Sequence, residues 1–252
     1  MKLEHLIFLK KYQYRITNVK LTKYIRMKFI TSDLHFYHKN IIKYCPKRLV
    51  KIQEYANQHN IELTEDNIVD TMNKWLVEMW NTQVLRNDDD VYVLGDFSFG
   101  KAEETKVILN QLKGRIHLIT GNHDYKINAM LETGRIESVC QIKTVEVKDL
   151  FFHGEWSEIY RFELCHYPMM CWKEKEHGTI HLHGHCHGNI DKVNEFLNEN
   201  RVDVGIDSSL ADYKLLTFKD IMLYFQARKA ISFGSVSVEN FIDKIKVNID
   251  DK

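Results

Sequence analysis

The sequence predicts an α/β fold, and three observations carry that prediction. Short apolar, β-leaning runs alternate with amphipathic runs at helical spacing through the first half of the chain, the order expected of a parallel sheet covered by helices. The first three of these strands each end in a small cluster of aspartate, asparagine, histidine or glycine. Six of the eleven glycines (95, 100, 121, 184, 188 and 205) also fall at strand ends, which points to tight backbone geometry around one place.

Taken in order, residues 28–32 are apolar and form the first strand, which runs into Asp33-Leu34-His35. His38-Lys39-Asn40-Ile41-Ile42 opens a short helix that Pro46 stops. The clearest helix spans 64–85, where Ile68, Val69, Met72, Trp75, Leu76, Met79, Trp80 and Val84 recur at steps of three and four. Thr64 is its expected N-cap, with Glu65 and Asp66 suited to the positive end of the helix dipole. Asp88-Asp89-Asp90 reads as a solvated turn. Val91–Leu94 is the second strand, leading into Gly95-Asp96-Phe97-Ser98-Phe99-Gly100, and a helix over 102–112 follows. The third strand, Ile116–Thr120, ends in Gly121-Asn122-His123-Asp124. Three strands thus deliver Asp and His, then Asp, then Asn and His to their carboxyl ends, the edge where open α/β sheets bind ligands.

Residues 137–153 alternate like the strands of a hairpin, and Tyr160–Cys165 resumes as strand before His166-Tyr167-Pro168. Residues 180–183 form a strand that enters Gly184-His185-Cys186-His187-Gly188, and residues 201–207 form another. Thr217 with Asp220 reads as a capping-box start for a helix to about residue 228. Residues 229–252 carry no readable signal. With no internal repeat, low-complexity tract or Pro/Gly-rich linker, the chain reads as one catalytic domain over 27–229, a basic extension at 1–26 and a tail at 230–252.

Composition narrows the function classes little. Thirty-five basic residues balance thirty-five acidic ones, so bulk charge argues neither for nor against nucleic acid. Lys2, Lys10, Lys11, Arg15, Lys20, Lys23 and Arg26 against Glu4 give residues 1–26 a charge of +6, a basic arm expected to be peripheral to catalysis. The five cysteines form no CxxC pair, which implies free thiols in a reducing compartment, the cytoplasm. No apolar run approaches the ~20 residues of a membrane span.

The densest chemistry lies at His181, His183, His185 and His187, four histidines at alternate positions. On a strand they begin on one side, and imidazoles gathered at a turn make a metal nest. A zinc knuckle made by this stretch alone would leave the other strand-end motifs unexplained. The whole order is DxH, GDxxxG, GNHD, a histidine before Tyr-Pro, then GHxH. Ligation by nitrogen and oxygen without thiolate suits Mn²⁺, Fe or Zn²⁺.

From residue 28 to about 207 the chain resembles the calcineurin-like metallophosphoesterases. Ser32–Ile42, Gly95–Gly100 and His181–Gly188 are similar to the small bacterial and phage phosphoesterase branch. The resemblance implies a four-layer fold of two mixed β-sheets face to face with helices outside. It implies two divalent metal ions, one on Asp33, His35, Asp96 and His187 and one on Asp96, Asn122, His166 and His185, with Asp96 bridging. It implies hydrolysis of a phosphoester by a metal-bridging hydroxide, with His123 as general acid. In much of the superfamily an Asp three residues after the bridging Asp orients that histidine, and in the protein phosphatases an Arg follows it. Here those positions hold Phe99 and Gly100. Without an Arg to grip a dianionic monoester, a small phosphodiester or nucleotide-like substrate is expected ahead of a phosphoprotein.

Around these ligands, His38 and Tyr167 are candidate substrate contacts, and Trp172 is either a substrate wall or core. His181 and His183 are expected to support the site, Cys186 to point away from it and Asp124 to bond the amides of its own turn. His5, His59, His117 and His153 read as structural or surface residues. The rival readings are a phosphomonoesterase or protein phosphatase, a nuclease acting on DNA or RNA through the basic arm, and a non-catalytic scaffold of the same fold. The oligomeric state does not follow from the sequence.

Overall fold

The computed structural model describes residues 26–148, 159–197 and 200–232. All of the basic arm at 1–26 except Arg26, most of the tail, His5 and His153 lie outside them. Nine strands form two sheets: β1 (Lys28–Thr31), β2 (Asp90–Val93), β3 (Arg115–Ile119), β4 (Ile136–Cys140), β5 (Ile142–Lys148), β6 (Ile159–Cys165), β7 (Ile180–His183), β8 (Arg201–Asp203) and β9 (Leu216–Thr217). The first sheet has the order β4-β3-β2-β1-β9, parallel except for β9. The second has the order β5-β6-β7-β8, with β5 antiparallel to β6 and the rest parallel. Both sheets are mixed, and helices flank them: α1 (Ile41–Tyr44), α2 (Lys47–Gln58), α3 (Ile68–Gln83), α4 (Ala102–Gln111), α5 (Ile127–Leu131), α6 (Asp191–Phe196) and α7 (Phe218–Ser232).

Strand alternation divides the apolar residues between two cores. Phe29, Val91, Val93, Ile116 and Leu118 face α2, α3 and α4, meeting Ile52, Met72, Leu76, Trp80, Ile108 and Leu109. Ile30, Tyr92, Leu94 and Ile119 point the other way, against Phe162, Leu164, Leu182 and Val202 of the second sheet and Phe218, Ile221 and Phe225 of α7. At the carboxyl ends of these strands a bridge between Ser32 and Gly205 joins the two halves.

Several elements depart from expectation. Within the expected 137–153 hairpin, the described residues 137–148 do not pair with each other. Its first part, β4, pairs parallel with β3, and β5 pairs antiparallel with β6, so the chain changes sheets at Gln141. Alternation over a polar edge reports strand but cannot report the partner. Pro46 does not merely end α1, because the next residue begins α2, whose first turn can accommodate proline's missing N–H. Helix α3 starts at Ile68 with Asn67 before it; Thr64 instead exchanges hydrogen bonds with Asn67. Of the aspartate triplet only Asp88 stands in a solvated turn. Asp89 accepts from the Met27 and Arg86 amides, and Asp90 opens β2 and accepts from Arg115 and His117; both are buried. Thr217 and Asp220 make the reciprocal bonds of a capping box at the start of α7.

Candidate metal centre

The residues singled out at five strand ends converge on one buried cleft. Oxygen and nitrogen atoms of Asp33, His35 and His187 lie within 4.8 Å of one another, as do those of Asp33, Asp96 and His166. His35 Nε2 stands 3.8 Å from Asp33 Oδ1 and 3.6 Å from Asp96 Oδ2. The other Asp96 oxygen faces away from His35, with Oδ1 3.7 Å from His166 Nε2. Asn122 Oδ1 and His185 Nδ1 meet that same His166 nitrogen at 3.0 and 3.2 Å. The Asp96 carboxylate therefore sits between an Asp33/His35/His187 group and an Asn122/His166/His185 group.

The local backbone is unusual because the ligand-bearing turns are tight. Asp33 (φ 58°), His35 (52°), Asp96 (54°), His185 (68°) and His187 (50°) are all left-handed, a conformation that costs non-glycine residues ~1–3 kcal/mol each and persists only where the surroundings impose it. Glycine is required where these turns touch. A Cβ on Gly184 would overlap Ser32 and the Asp33 carboxylate, and one on Gly121 would overlap Asp96. Asp124 does more than bond its own turn. Besides the Gly121 amide it accepts from the Asp96 and Phe97 amides at 3.0 Å, bracketing the second and third strand ends together.

The chemistry of the donor set fits divalent cations. His166 Nδ1 donates to the Leu94 carbonyl at 2.7 Å, which leaves Nε2 to face the cleft. That nitrogen faces Asn122 Oδ1, Asp96 Oδ1 and His185 Nδ1, a convergence of oxygen and nitrogen atoms that suits a cation. Both ring nitrogens of His35 are buried without a hydrogen-bond partner, an exception that calls for an ion or water. Burial drives the Asp33 pKa up to about 8, with His187 opposing and the nearby Asp203 and Asp96 carboxylates adding to the rise. Burial, then Arg48 and His187, push His35 far below the usual imidazole range. The protein alone thus struggles to hold Asp33 ionised or His35 charged, and a bound cation reverses the first difficulty and uses the second.

Two residues without a local sequence signal complete the centre. Asp207 Oδ2 lies 2.7 Å from His187 Nδ1, and the buried Arg48 donates to both Asp207 oxygens at 2.7 and 2.6 Å. Burial lowers the His187 pKa, but Asp207, Cys45 and Asp33 outweigh it and raise the value to about 10. Cys45, His187 and Asp207 also cluster closely, yet Asp207 is already committed to Arg48, so we assign it to orientation. Sequence motifs miss both Arg48 and Asp207 because the two meet across 159 positions of chain.

The remaining candidates divide. His123 donates its backbone N–H to Asp96 Oδ1 at 2.9 Å, and its ring stands with Nε2 4.0 Å from Asp96 Oδ2. Where a carboxylate is absent, Phe99 packs on the His123 ring at 4.6 Å and Tyr125 meets it edge-on. His38 also stacks on Phe99, with ring centroids 3.8 Å apart and planes nearly parallel. Tyr167, 45% exposed, sets its ring 5.0 Å from both His166 and His185. Trp172 is core rather than cleft wall: it is buried, donates to the Thr179 carbonyl and packs on His181. The four-histidine alternation does not continue through the turn. β7 ends at His183, and His181 and His183 are fully buried on the polar face where Glu163, His181 and Arg201 stand in register. His181 bonds the Glu163 carbonyl and the Tyr167–Met169 segment, and His183 bonds Asn194 and the Gly184 carbonyl. The Cys186 thiol is half-buried and pushed up to about 11 by burial and then by Asp203 and Asp33. His117 bonds Asp90 and Ser138, and His59 pairs with Glu78 at the surface.

The mixed two-sheet fold thus carries at its strand ends a carboxylate- and imidazole-lined cleft that could hold metal ions, the arrangement of the phosphoesterase class. The model of the calcineurin-like phosphoesterase family matches residues 29–212, and the chain belongs to that family, whose members typically bind divalent metals. It is 29% identical over 209 residues to an uncharacterised protein of Methanocaldococcus jannaschii, covering 82% of this chain and 96% of that one. Its fold is similar to the crystal structure of a protein of unknown function from Aquifex aeolicus, with a TM-score of 0.53 and 24% identity over 79% of this chain and 98% of that one. No helix among the described residues is long and apolar enough to cross a membrane.

Proposed function

We propose that this protein hydrolyses a small phosphodiester or nucleotide-like phosphoester with two divalent ions, Mn²⁺, Fe or Zn²⁺. The observation that carries the reading is the convergence of the Nε2 atoms of His166 and of the unpartnered His35 on the two oxygens of Asp96. Asp33, His35, Asp96 and His187 would hold one ion, and Asp96, Asn122, His166 and His185 the other. When bound, such a pair supplies an activated water and draws charge from the phosphoryl oxygens. His123, with its ring at the open side of the cleft and its amide fixed on Asp96, would hold the proton that the leaving oxygen takes. Phe99 sets that ring by packing, and Asp124 keeps the two turns in register.

The substrate class rests on two features. Gly100 offers no side chain to grip a phosphate dianion, and the open side presents exposed tyrosine rings at Tyr125 and Tyr167, suited to a planar leaving group. Residues 1–26 are proposed as a peripheral extension to a catalytic domain at 27–229, and the five free cysteines favour the cytoplasm. The test is metal analysis with hydrolysis of paired aryl phosphate mono- and diesters, using Asp96→Asn and His123→Ala. A wild-type protein that binds no transition metal, together with full activity in Asp96→Asn, would falsify the mechanism.

A further inference from the structure

Among the described residues Arg48 is the largest charged side chain wholly removed from solvent, at 0% exposure, and it lies in the first turn of α2, outside every motif at the strand ends. A guanidinium that is buried must find acceptors for its fork of donors, and all the acceptors found here belong to the metal-centre turns. Nη2 donates to the Asp33 carbonyl at 2.5 Å and Nη1 to the Leu34 carbonyl at 2.8 Å. Nε and Nη2 donate to the two oxygens of Asp207 at 2.7 and 2.6 Å. Asp207 in turn meets His187 Nδ1 at 2.7 Å.

We propose that Arg48 and Asp207 are positioning residues that join the Asp33–His35 turn to His187 and present His187 Nε2 to the ion held with Asp33 and His35. The reasoning has two parts. Asp33 and His35 are both left-handed, and the carbonyls of Asp33 and Leu34 that this conformation turns outward would be buried without partners if Arg48 were absent. His187 has two ring nitrogens, and the one that bonds a carboxylate carries the proton, leaving the other as the ligand. Asp207 makes that choice, and Arg48 holds Asp207 by a planar, two-pronged contact that lysine cannot reproduce. The pair acts on one half of the centre only. Asn122 and His166 are set by different contacts, from Leu94 and the third strand's turn, while the His185 amide reaches back to the Asp33 carboxylate.

The inference rests on the dinuclear reading, and Zn²⁺ titration of the metal-free full chain separates the two. Wild type should take up two equivalents of Zn²⁺. In Asp207→Asn and in Arg48→Lys one equivalent should weaken 10–100-fold while the other stays within about threefold. Two equivalents bound at wild-type affinity in both variants, or both weakened alike, would overturn the positioning role and leave the dinuclear centre standing. A wild type that takes up no Zn²⁺ overturns both. Should neither variant fold, ¹⁵N-histidine NMR of the Zn²⁺-loaded wild type decides: Nδ1 of His187 should carry a slowly exchanging proton and Nε2 the metal, and coordination through Nδ1 overturns the proposal.

Discussion

Gly121 offers a clean steric probe of the centre, because it is not itself a ligand and its backbone is not left-handed. An alanine there would place its Cβ on the Asp96 carboxylate, 2.8 Å from the Asp96 amide nitrogen and 2.9 Å from His166 Cε1. Ordinary contact begins at 3.4 Å, so Asp96 and His166 must each retreat by about 0.5–0.6 Å, and the carboxylate oxygen by more. Overpacking of this kind costs ~1–3 kcal/mol. For a domain of this size that is a drop of ~2–4 °C in Tm per kcal/mol. The functional cost is larger, since a displacement approaching 1 Å of a reacting constellation lowers turnover by ~10²-fold. Gly134→Ala is the control. A Cβ there meets nothing, but φ is +65°, so it should lose ~1–2 kcal/mol of stability for backbone reasons alone. Aryl phosphodiester hydrolysis with added Mn²⁺, beside thermal melts, measures both. Wild-type turnover in Gly121→Ala, or equal loss of turnover in Gly134→Ala, would refute the placement of Asp96 and His166 in the reacting centre.

Three further outcomes are expected. His123→Ala should retain its metal content but lose ~10²–10⁴-fold in turnover of alkyl esters, and much less for p-nitrophenyl esters, whose leaving group needs no proton; equal losses on both would remove the general-acid role. Burial holds His181 neutral down to about pH 4, against 6.5 in the unfolded chain. The unfolded state therefore binds the extra proton first, and stability is lost as pH falls from 6.5 through 4, by ~3 kcal/mol at 1.36 kcal/mol per unit. Urea midpoints of wild type and His181→Gln should accordingly converge towards acid pH; a constant gap would contradict this. Thr217→Ala, which removes the acceptor for the Asp220 amide, should cost ~1 kcal/mol in urea denaturation with hydrolysis unchanged.

The strands that carry ligands are legible because their rule is local: an apolar run of four or five residues stops where Gly, Asp or Asn supplies the turn, and the ligands occupy the turn. That is why Asp33, His35, Asp96, Asn122, His166, His185 and His187 can be picked out one by one, and why the family resemblance runs through the same seven positions. The 47–58 helix escapes such reading because Pro46 signals a stop and a start equally well, and the 137–153 segment mimics a hairpin because alternation names no partner.

What the chain alone determined, then, is the inventory: an α/β order of elements, the residue types able to bind metal, and the positions where the backbone must turn. Tertiary structure supplies the reason that only two of the four clustered histidines face the cleft. Strand alternation sends His181 and His183 to the buried polar face opposite Leu182, and the left-handed turn after Gly184 brings His185 and His187 round to His166 and Asp33. It also decided how the centre is held, through Arg48 and Asp207, which lie 159 residues apart. Contacts at that separation have no spacing for a sequence to display, because they depend on where two sheets meet rather than on the order of neighbouring residues along the chain.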